Sequence, residues 1–316
     1  MSKAAAALPL YGHSGAEEKF LSARESGRLH HAWIIEGVSG IGKARFALRL
    51  ASVLLGAKPV PGDPAGAPET DPVMQKLMSS GHPDLKYVQR LPNDKGVLKQ
   101  DISVEQIREM NGFFSLKPAL GGWRIGIIDA LDEMNTNSLN AVLKTLEEPP
   151  PNALLFLISH ASAPVLPTIR SRCQTLRLTP LTSEDTITVL TSLDLEAPAQ
   201  VAELVSGRPG RAAEFAGVKA LAAANAAKTF LRSMPRPNDA QLSQAILNAA
   251  EDEQSFTIFA EALLQWLSER ADVEPSWSDV WFESQRILAD QRAMHMPPAQ
   301  AASKLVSTLQ SAFASR

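Results

Sequence analysis

AWIIEGVSGIGK at residues 32–43 is the stretch of the chain that identifies the fold. Its apolar first half, Ala32 to Glu36, predicts a buried strand that ends in a glycine-rich turn. From Ala44 to Leu55 the apolar residues recur at helical spacing, which predicts an amphipathic helix. The order strand, glycine-rich loop and helix is typical of a phosphate-binding loop.

The phosphate-loop pattern, G-x-x-x-x-G-K, consists here of Gly37, Gly40, Gly42 and Lys43. The glycines let backbone N–H groups curve around phosphate oxygens at a helix N-terminus, and the lysine reaches the outer phosphates. The alternative is a chance glycine-rich turn with a surface lysine. The strand and helix on either side favour the phosphate loop.

Two positions that support hydrolysis in such loops are altered. Where the pattern places a magnesium-ligating Ser or Thr, this chain has Ala44. The strand predicted over 123–130 ends in Asp129, a candidate metal-binding carboxylate, and the next residue is Ala130 where a water-activating acid is usual. Asp132 and Glu133 follow, but we expect their local geometry to aim them elsewhere. The sequence predicts a phosphate-loop fold without its hydrolytic chemistry.

The remainder of the first 178 residues alternates between strands and helices. A capping box at Ser103 opens a helix, another helix covers 135–148, and 153–159 is an apolar strand. This alternation predicts an α/β core with a largely parallel sheet. The Pro- and Gly-rich run at 56–70 is expected to be a flexible loop.

Beyond Leu178 no comparable apolar strand occurs, so the carboxy-terminal third is predicted to be all-α. We expect three parts: an α/β domain over 1–178, a helical lid over 179–218 and a helical oligomerisation domain over 219–316. The predicted helices lie near 183–193, 198–206, 210–233, 238–251, 253–271, 278–294 and 298–314. The aromatic residues of the last part lie among Leu and Ile, so we expect core and interface packing rather than nucleobase stacking for Trp266, Trp277, Trp281 and Phe282.

Composition excludes several classes of protein. The 316 residues carry 31 Lys and Arg against 34 Asp and Glu, a net charge of −3, so no broad positive field is present for autonomous DNA binding. The single cysteine, Cys173, excludes an internal disulfide and a Cys-rich zinc module. The polar residues 12–15 follow too soon for a secretory signal, and no run approaches the ~18 apolar residues of a membrane span. A cytoplasmic location is expected.

Several ordered motifs resemble the AAA+ clamp-loader subunits of bacterial DNA polymerase III, over about residues 10–211. They are LHHAW at 29–33 leading into GVSGIGKA at 37–44, GHPDL at 81–85, NAVLKTLEEPP at 140–150 and TIRSRC at 168–173. The resemblance implies an AAA+ core, a helical lid and a collar domain in a five-subunit ring. That ring opens a sliding clamp and places it on primed DNA with ATP bound between subunits.

The resemblance also implies partners and cofactors. The partners are the tau/gamma and delta subunits, the clamp and primed DNA within the complex. The rigid member of this ring has a degenerate ATP site, which agrees with Ala44 and Ala130. ATP or ADP is therefore expected to bind weakly or not at all.

Three further residues acquire roles from the resemblance. Ser159 is similar to the sensor 1 position and Arg211 to sensor 2, while Arg172 is similar to an arginine finger that acts in trans on a neighbour's ATP. Each has a plainer alternative. Ser159 is then a strand-end cap, Arg211 a solvated residue at a helix start, and Arg172 a surface arginine beside a strand.

One habit of the family is missing. Many members carry a four-cysteine zinc module after the phosphate-loop helix, and here residues 56–81 contain no cysteine. No zinc is expected, and His82 is interpreted as a turn or core residue, since one histidine supplies too few ligands for a tetrahedral site.

Two rival functions remain. The first is an active ATP-hydrolysing motor subunit of the same loader, similar to tau/gamma, against which Ala44, Ala130 and the short chain argue. The second is a small-molecule P-loop kinase, for which the helical final third has no obvious use.

Overall fold

The computed structural model describes residues 10–160, 165–195, 197–215, 218–271 and 273–314. The chain divides into two compact units, one of Met1–Asp194 with Ser206–Gly210, the other of Leu195–Val205 with Arg211–Arg316. The three-part division expected from the sequence stays a prediction.

The first unit is an α/β domain. Its strands are β1 (Ala32–Glu36), β2 (Leu85–Gln89), β3 (Arg124–Asp129), β4 (Ala153–Ser159) and β5 (Gln174–Arg177). Its helices are α1 (Ser14–Glu25), α2 (Lys43–Leu54), α3 (Pro72–Met78), α4 (Val104–Phe114), α5 (Thr136–Glu147), α6 (Pro167–Arg170) and α7 (Ser183–Ser192).

Within the described residues, the five strands form one sheet in the order β2-β3-β4-β1-β5. Every neighbouring pair is parallel, which confirms the predicted α/β core. Glu36 at the end of β1 pairs with Ser159 at the end of β4, and Asp129 at the end of β3 pairs with Ile158. The carboxyl ends of the central strands therefore meet at one edge, where ligands bind in open parallel sheets.

Both faces of the sheet are buried by helices. Leu154, Phe156 and Ile158 of β4 pack with Phe20 of α1 and Phe46 of α2. The alternate residues of β4 face the opposite cluster, which contains apolar side chains of α4 and α5. A strand covered on both faces is apolar throughout, and this is why β4 reads as an uninterrupted hydrophobic run.

Close packing of α4 requires a glycine in β3. A Cβ atom built on Gly126 would lie 2.7 Å from the sulfur of Met110 and 2.8 Å from the Phe114 ring. The start of α4 is the predicted capping box, in which Ser103 accepts the Gln106 N–H and the Gln106 side chain accepts the Ser103 N–H. The capping box thus fixes where α4 begins, and Gly126 lets α4 pack closely against the sheet.

The segment predicted as a flexible loop is held by its acidic side chains. Asp63 forms an ion pair with Arg49 of α2 and also accepts the N–H of Gly66 at 2.9 Å. Asp71 caps α3 and also accepts the Lys58 N–H at 3.1 Å. The run is a loop without helix or strand, as predicted, and its flexibility stays a prediction. Its composition does not show which distant side chain will bind these carboxylates.

The second unit is helical in its described part, as predicted. Its helices are α8 (Pro198–Val205), α9 (Val218–Ser233), α10 (Asp239–Ala249), α11 (Glu253–Ala271), α12 (Trp277–Met294) and α13 (Pro298–Ala314). The helix expected over 210–233 differs, since Pro209–Phe215 is a 3-10 segment and α9 begins only at Val218.

Aromatic packing in this unit agrees with the prediction in part. Trp277 is buried and its ring lies 5.5 Å from that of Trp266 and 4.9 Å from that of Phe313. Phe282, however, is 64% exposed. The Arg270 guanidinium lies 4.1 Å from the centroid of the Trp266 ring.

Candidate nucleotide site

The phosphate loop connects β1 to α2 at the carboxyl edge of the sheet. Gly40 and Gly42 have φ angles of 87° and 97°, a left-handed region that glycine adopts without steric cost. The N–H of Gly37 donates to the Ser159 carbonyl at 3.3 Å, which ties the loop to the end of β4. The loop predicted from the sequence is therefore built as predicted.

Lys43 is held inside this loop. Its side chain is 4% exposed, and Nζ donates to the Gly37 carbonyl at 2.6 Å and to the Val38 carbonyl at 2.7 Å. Burial lowers the pKa of the ammonium to about 8, against the opposing effect of Asp129 and Asp132. An ammonium has three donors, so the described contacts leave one for an anion.

The part of the site that would hold a metal ion lacks two polar groups that are usual there. Ala44 lies in the wall of the cavity and has no oxygen to offer a metal, and Ala130 is fully buried. Asp129 accepts a hydrogen bond from the Tyr87 hydroxyl at 2.5 Å. Burial and then the Asp129 charge raise the pKa of Tyr87, so the hydroxyl keeps its proton and donates it.

Asp132 does not point away, contrary to expectation. Leu131–Glu133 is a 3-10 turn, and the Asp132 carboxylate accepts the N–H of His160 at 2.6 Å. The negative charge of Asp132 also raises the pKa of Lys43, against the larger effect of burial. Glu133 forms an ion pair with Arg90 at 2.8 Å.

An open cavity of about 380 Å³ lies against the loop. His160, which directly follows β4, is part of its wall, and burial lowers the pKa of this imidazole. Much of the wall is apolar. The lining residues are Leu10, Tyr11, Gly40, Ile41, Gly42, Lys43, Ala44, Arg45, Asp129, Ile158, His160, Leu181, Val189, Leu193, Pro209 and Gly210.

The two sensor assignments stay predictions. Ser159 is fully buried at the end of β4, beside His160. Arg211 belongs to the second unit, where its side chain forms an ion pair with Glu261.

Arg172 lies after α6 and is partly exposed. Its Nη1 donates to the Thr168 carbonyl at 2.9 Å, and its Nη2 lies 3.0 Å from a carboxylate oxygen of Glu147. The neighbouring Arg170 is instead paired with Glu36 at 2.5 Å. The two arginines of this motif therefore differ, and Arg172 is the one oriented by the end of α5.

Burial raises the pKa of the Cys173 thiol to about 12, so this cysteine is an unreactive residue that contributes packing.

Sequence reasoning missed Tyr87 and His160. Tyr87 lies on β2, which was not predicted because Lys86 and Gln89 interrupt its apolar pattern. The sequence indicated His160 in one way only. It directly follows an apolar strand that ends at the edge of the sheet where ligands bind.

His82 and Asp84 of the GHPDL motif lie in a turn outside this site. His82 is 5% exposed and its Nδ1 accepts the Asp84 N–H at 3.2 Å. This geometry agrees with the interpretation of His82 as a turn and core residue.

Comparison with known proteins identifies the family. Residues 12–182 match the family model described as DNA polymerase III, delta subunit. The chain belongs to this family. The motifs quoted above had indicated clamp-loader subunits, and that interpretation is confirmed.

Relatives of this family carry the name DNA polymerase III subunit delta'. One from Pseudomonas aeruginosa is 38% identical over 143 residues, which cover 45% of this chain and 41% of that protein. One from Escherichia coli K12 is 29% identical over 255 residues, covering 79% of this chain and 71% of the relative. A solved gamma subunit-related protein of Thermotoga maritima is 14% identical, with a TM-score of 0.47 and coverage of 94% and 98%. The match therefore spans less than half of the first relative's length.

Two kinds of feature are absent from the part of the chain that the structure describes. No group of three or more His, Cys, Asp or Glu that could hold a metal ion occurs there. No helix among the same residues is long and apolar enough to cross a membrane.

Proposed function

We propose that this chain is a non-catalytic, stator-like subunit of the DNA polymerase III clamp loader. It assembles with tau/gamma and delta subunits in the cytoplasm and helps to place the sliding clamp on primed DNA. Its own nucleotide site does not hydrolyse ATP. It acts on ATP through Arg172, which it presents to the site of a neighbouring subunit.

One observation carries this proposal. The phosphate loop is fully formed around Lys43, yet Ala44 and Ala130 stand where the metal-ligating hydroxyl and the water-activating acid belong. A loop that is folded but lacks both groups supports a structural role. The chain then takes part in hydrolysis only through a group that it gives to the site of a neighbour.

The chemistry of Arg172 suits the stabilisation of charge on a nucleotide that a neighbouring subunit binds. A guanidinium has a planar fork of donors that matches phosphate oxygens, and arginine fingers accelerate phosphoryl transfer by about 10³–10⁵. Its side chain is 38% exposed and is oriented by Glu147 and the Thr168 carbonyl. A neighbour's phosphate can therefore reach it without local unfolding.

The test is ATP hydrolysis by a reconstituted loader stimulated with clamp and primed DNA. Arg172→Ala should leave assembly intact and lower turnover of the whole complex, by less than the full effect of one finger because the ring has several ATP sites. Arg172→Lys should rescue poorly. Arg177→Ala, at a neighbouring arginine whose side chain is 80% exposed, is the matched control. Wild-type turnover in an assembled Arg172→Ala complex would make Arg172 an ordinary surface residue.

The isolated chain separates this proposal from the motor-subunit alternative. We expect no steady ATP turnover, because both hydrolytic groups are missing. Turnover that disappears in Lys43→Ala would instead identify an active ATPase.

A further inference from the structure

We propose that His31 is a positioning residue for Arg172 and that it acts through the carboxy-terminal end of α5. The inference rests on the proposed function, because it takes Arg172 to contact a nucleotide that a neighbouring subunit binds. It adds the side chain that holds Glu147, the partner of this arginine, in place.

His31 and Arg172 lie at the same edge of the sheet. Trp33 of β1 pairs with Gln174 of β5, so the two parallel strands begin side by side. His31 directly precedes β1, and Arg172 lies shortly before β5. The phosphate loop follows the other end of β1. Arg172 is therefore at the edge of the sheet opposite to the nucleotide site of its own chain.

The end of α5 lacks its usual backbone donors. In an α-helix each carbonyl accepts the N–H of the residue four positions further on. Four positions beyond Leu146 is Pro150, and proline has no N–H to donate. Pro149 and Pro151 create the same deficit for the residues on either side of Leu146. The last carbonyls of α5 therefore need donors from elsewhere in the fold.

His31 supplies one of these donors. Its Nε2 lies 3.1 Å from the Leu146 carbonyl oxygen. A carbonyl oxygen only accepts, so Nε2 carries the proton and donates it. Burial and the neighbouring His30 lower the pKa of His31, which keeps its imidazole neutral at neutral pH. The ring of His30 stacks on that of His31 with the centroids 4.3 Å apart, and this contact orients the donor.

The hydrogen bond to Leu146 constrains the residue that binds Arg172. Glu147 is the last residue of α5 and directly follows Leu146. The Leu146 side chain is buried and its carbonyl is held by His31, so the backbone is fixed on two sides just before Glu147. The Glu147 carboxylate then lies 3.0 Å from Nη2 of Arg172. Without the His31 donor, we expect the last turn of α5 to fray and the carboxylate to lose this position.

The experiment compares two polar variants in a reconstituted loader whose ATP hydrolysis is stimulated with clamp and primed DNA. Glutamine places an amide N–H at about the reach of imidazole Nε2, whereas asparagine places it at the reach of Nδ1. We expect turnover close to wild type for His31→Gln. For His31→Asn we expect turnover about 1.5- to 5-fold lower, the range that an exposed ion pair such as Glu147–Arg172 contributes. Equal turnover in the two variants overturns the inference.

Two further readouts separate positioning from a general loss of structure. The KM for ATP should not change in His31→Asn, because the neighbouring subunit binds the nucleotide. His30→Phe keeps a ring against His31 and removes only hydrogen bonds with Ala32, so it should retain wild-type turnover. A loss in His30→Phe as large as that in His31→Asn overturns the inference, since the whole start of β1 would then be responsible.

A double variant tests the route through Glu147. His31→Asn should have no further effect in a Glu147→Gln background, and losses that multiply would contradict the proposed route. Wild-type turnover in an assembled Arg172→Ala complex would contradict the proposed function and this inference with it. An impaired Arg172→Ala complex beside a fully active His31→Asn complex contradicts only this inference.

Discussion

Lys43 keeps its position in the phosphate loop although the groups that support hydrolysis are missing at Ala44 and Ala130. Its ammonium is buried and donates to two loop carbonyls, and Asp129 and Asp132 supply the opposing charge. His160, a further titratable group beside them, is kept in its neutral form by burial and by the Lys43 charge, which lower its pKa. Between these two basic groups, the positive charge is therefore carried by Lys43.

This environment predicts a pH dependence of nucleotide binding. Because the pKa of Lys43 is lowered to about 8, the ammonium that would contact a bound phosphate is present below that pH and is lost above it. ADP affinity should be flat near pH 7 and should fall by up to about tenfold per pH unit above pH 8. Titrations of the chain with ADP at pH values from neutral to alkaline measure this affinity. A flat profile across pH 8 would contradict the role of the ammonium.

Glu147 is predicted to position Arg172. The pair is exposed, and such pairs contribute about 0.2–1 kcal/mol, so Glu147→Gln should lower the turnover of the loader about 1.5- to 5-fold. The same change in an Arg172→Ala background should have no further effect, which a purely structural role would not explain. Glu148→Gln, at the adjacent exposed carboxylate, is the control. Equal losses with and without Arg172 would rule out positioning.

Among the secondary-structure elements, the connection into β3 is fixed by Asp84. Its carboxylate accepts the N–H groups of Ala119 and Leu120 at 2.7 and 2.9 Å and lies 3.4 Å from the Arg124 guanidinium. Burial alone would raise the pKa of Asp84, but these donors and the arginine hold it below its usual value. The GHPDL motif thus orders the loop that leads to the strand carrying Asp129.

Asp84→Asn should be strongly destabilising. It leaves Arg124 buried without its charge partner, which typically costs about 3–5 kcal/mol of unfolding free energy. Glu109→Gln, which breaks the exposed Lys86–Glu109 pair, should cost less than about 1 kcal/mol. Urea unfolding compares the two variants. If Asp84→Asn proved as stable as Glu109→Gln, the buried ion pair would not be needed.

The same carboxylate predicts how stability depends on pH. Because the folded pKa of Asp84 is depressed, its stabilising effect is present above the pKa of the unfolded state, about pH 4, and disappears as the pH falls further. Urea unfolding of the wild-type chain and of Asp84→Asn between pH 7 and pH 3 measures this effect. The difference between their unfolding free energies should shrink toward low pH, and a constant difference would contradict the expected titration.

For the molecule as a whole, we predict that the fold is independent of zinc. The sequence has one cysteine, and carboxylates at Asp63 and Asp71 hold the segment that follows α2, which contains no cysteine. Purified protein should contain no stoichiometric zinc, and a chelator should leave its thermal unfolding midpoint unchanged. One equivalent of zinc retained through dialysis against a chelator would contradict this.

The first strand, the phosphate loop, its flanking helix and the all-helical final third could all be predicted from the amino-acid sequence. These features are local: a strand buried on both faces must be apolar, and a phosphate loop needs glycine and lysine at fixed spacing. Ala44 and Ala130 were also readable directly, because the absence of an oxygen does not depend on the fold.

The surroundings of those positions became visible only in three dimensions. Tyr87 reaches Asp129 across 42 residues of sequence, and His160 reaches Asp132 across 28. Arg49 of α2 binds Asp63, a contact that the composition of the loop does not predict. Such contacts join strand ends and loops that are distant in the chain, and hydrophobic periodicity carries no information about them. They determine whether a carboxylate is available to a metal, which the sequence pattern alone could not show.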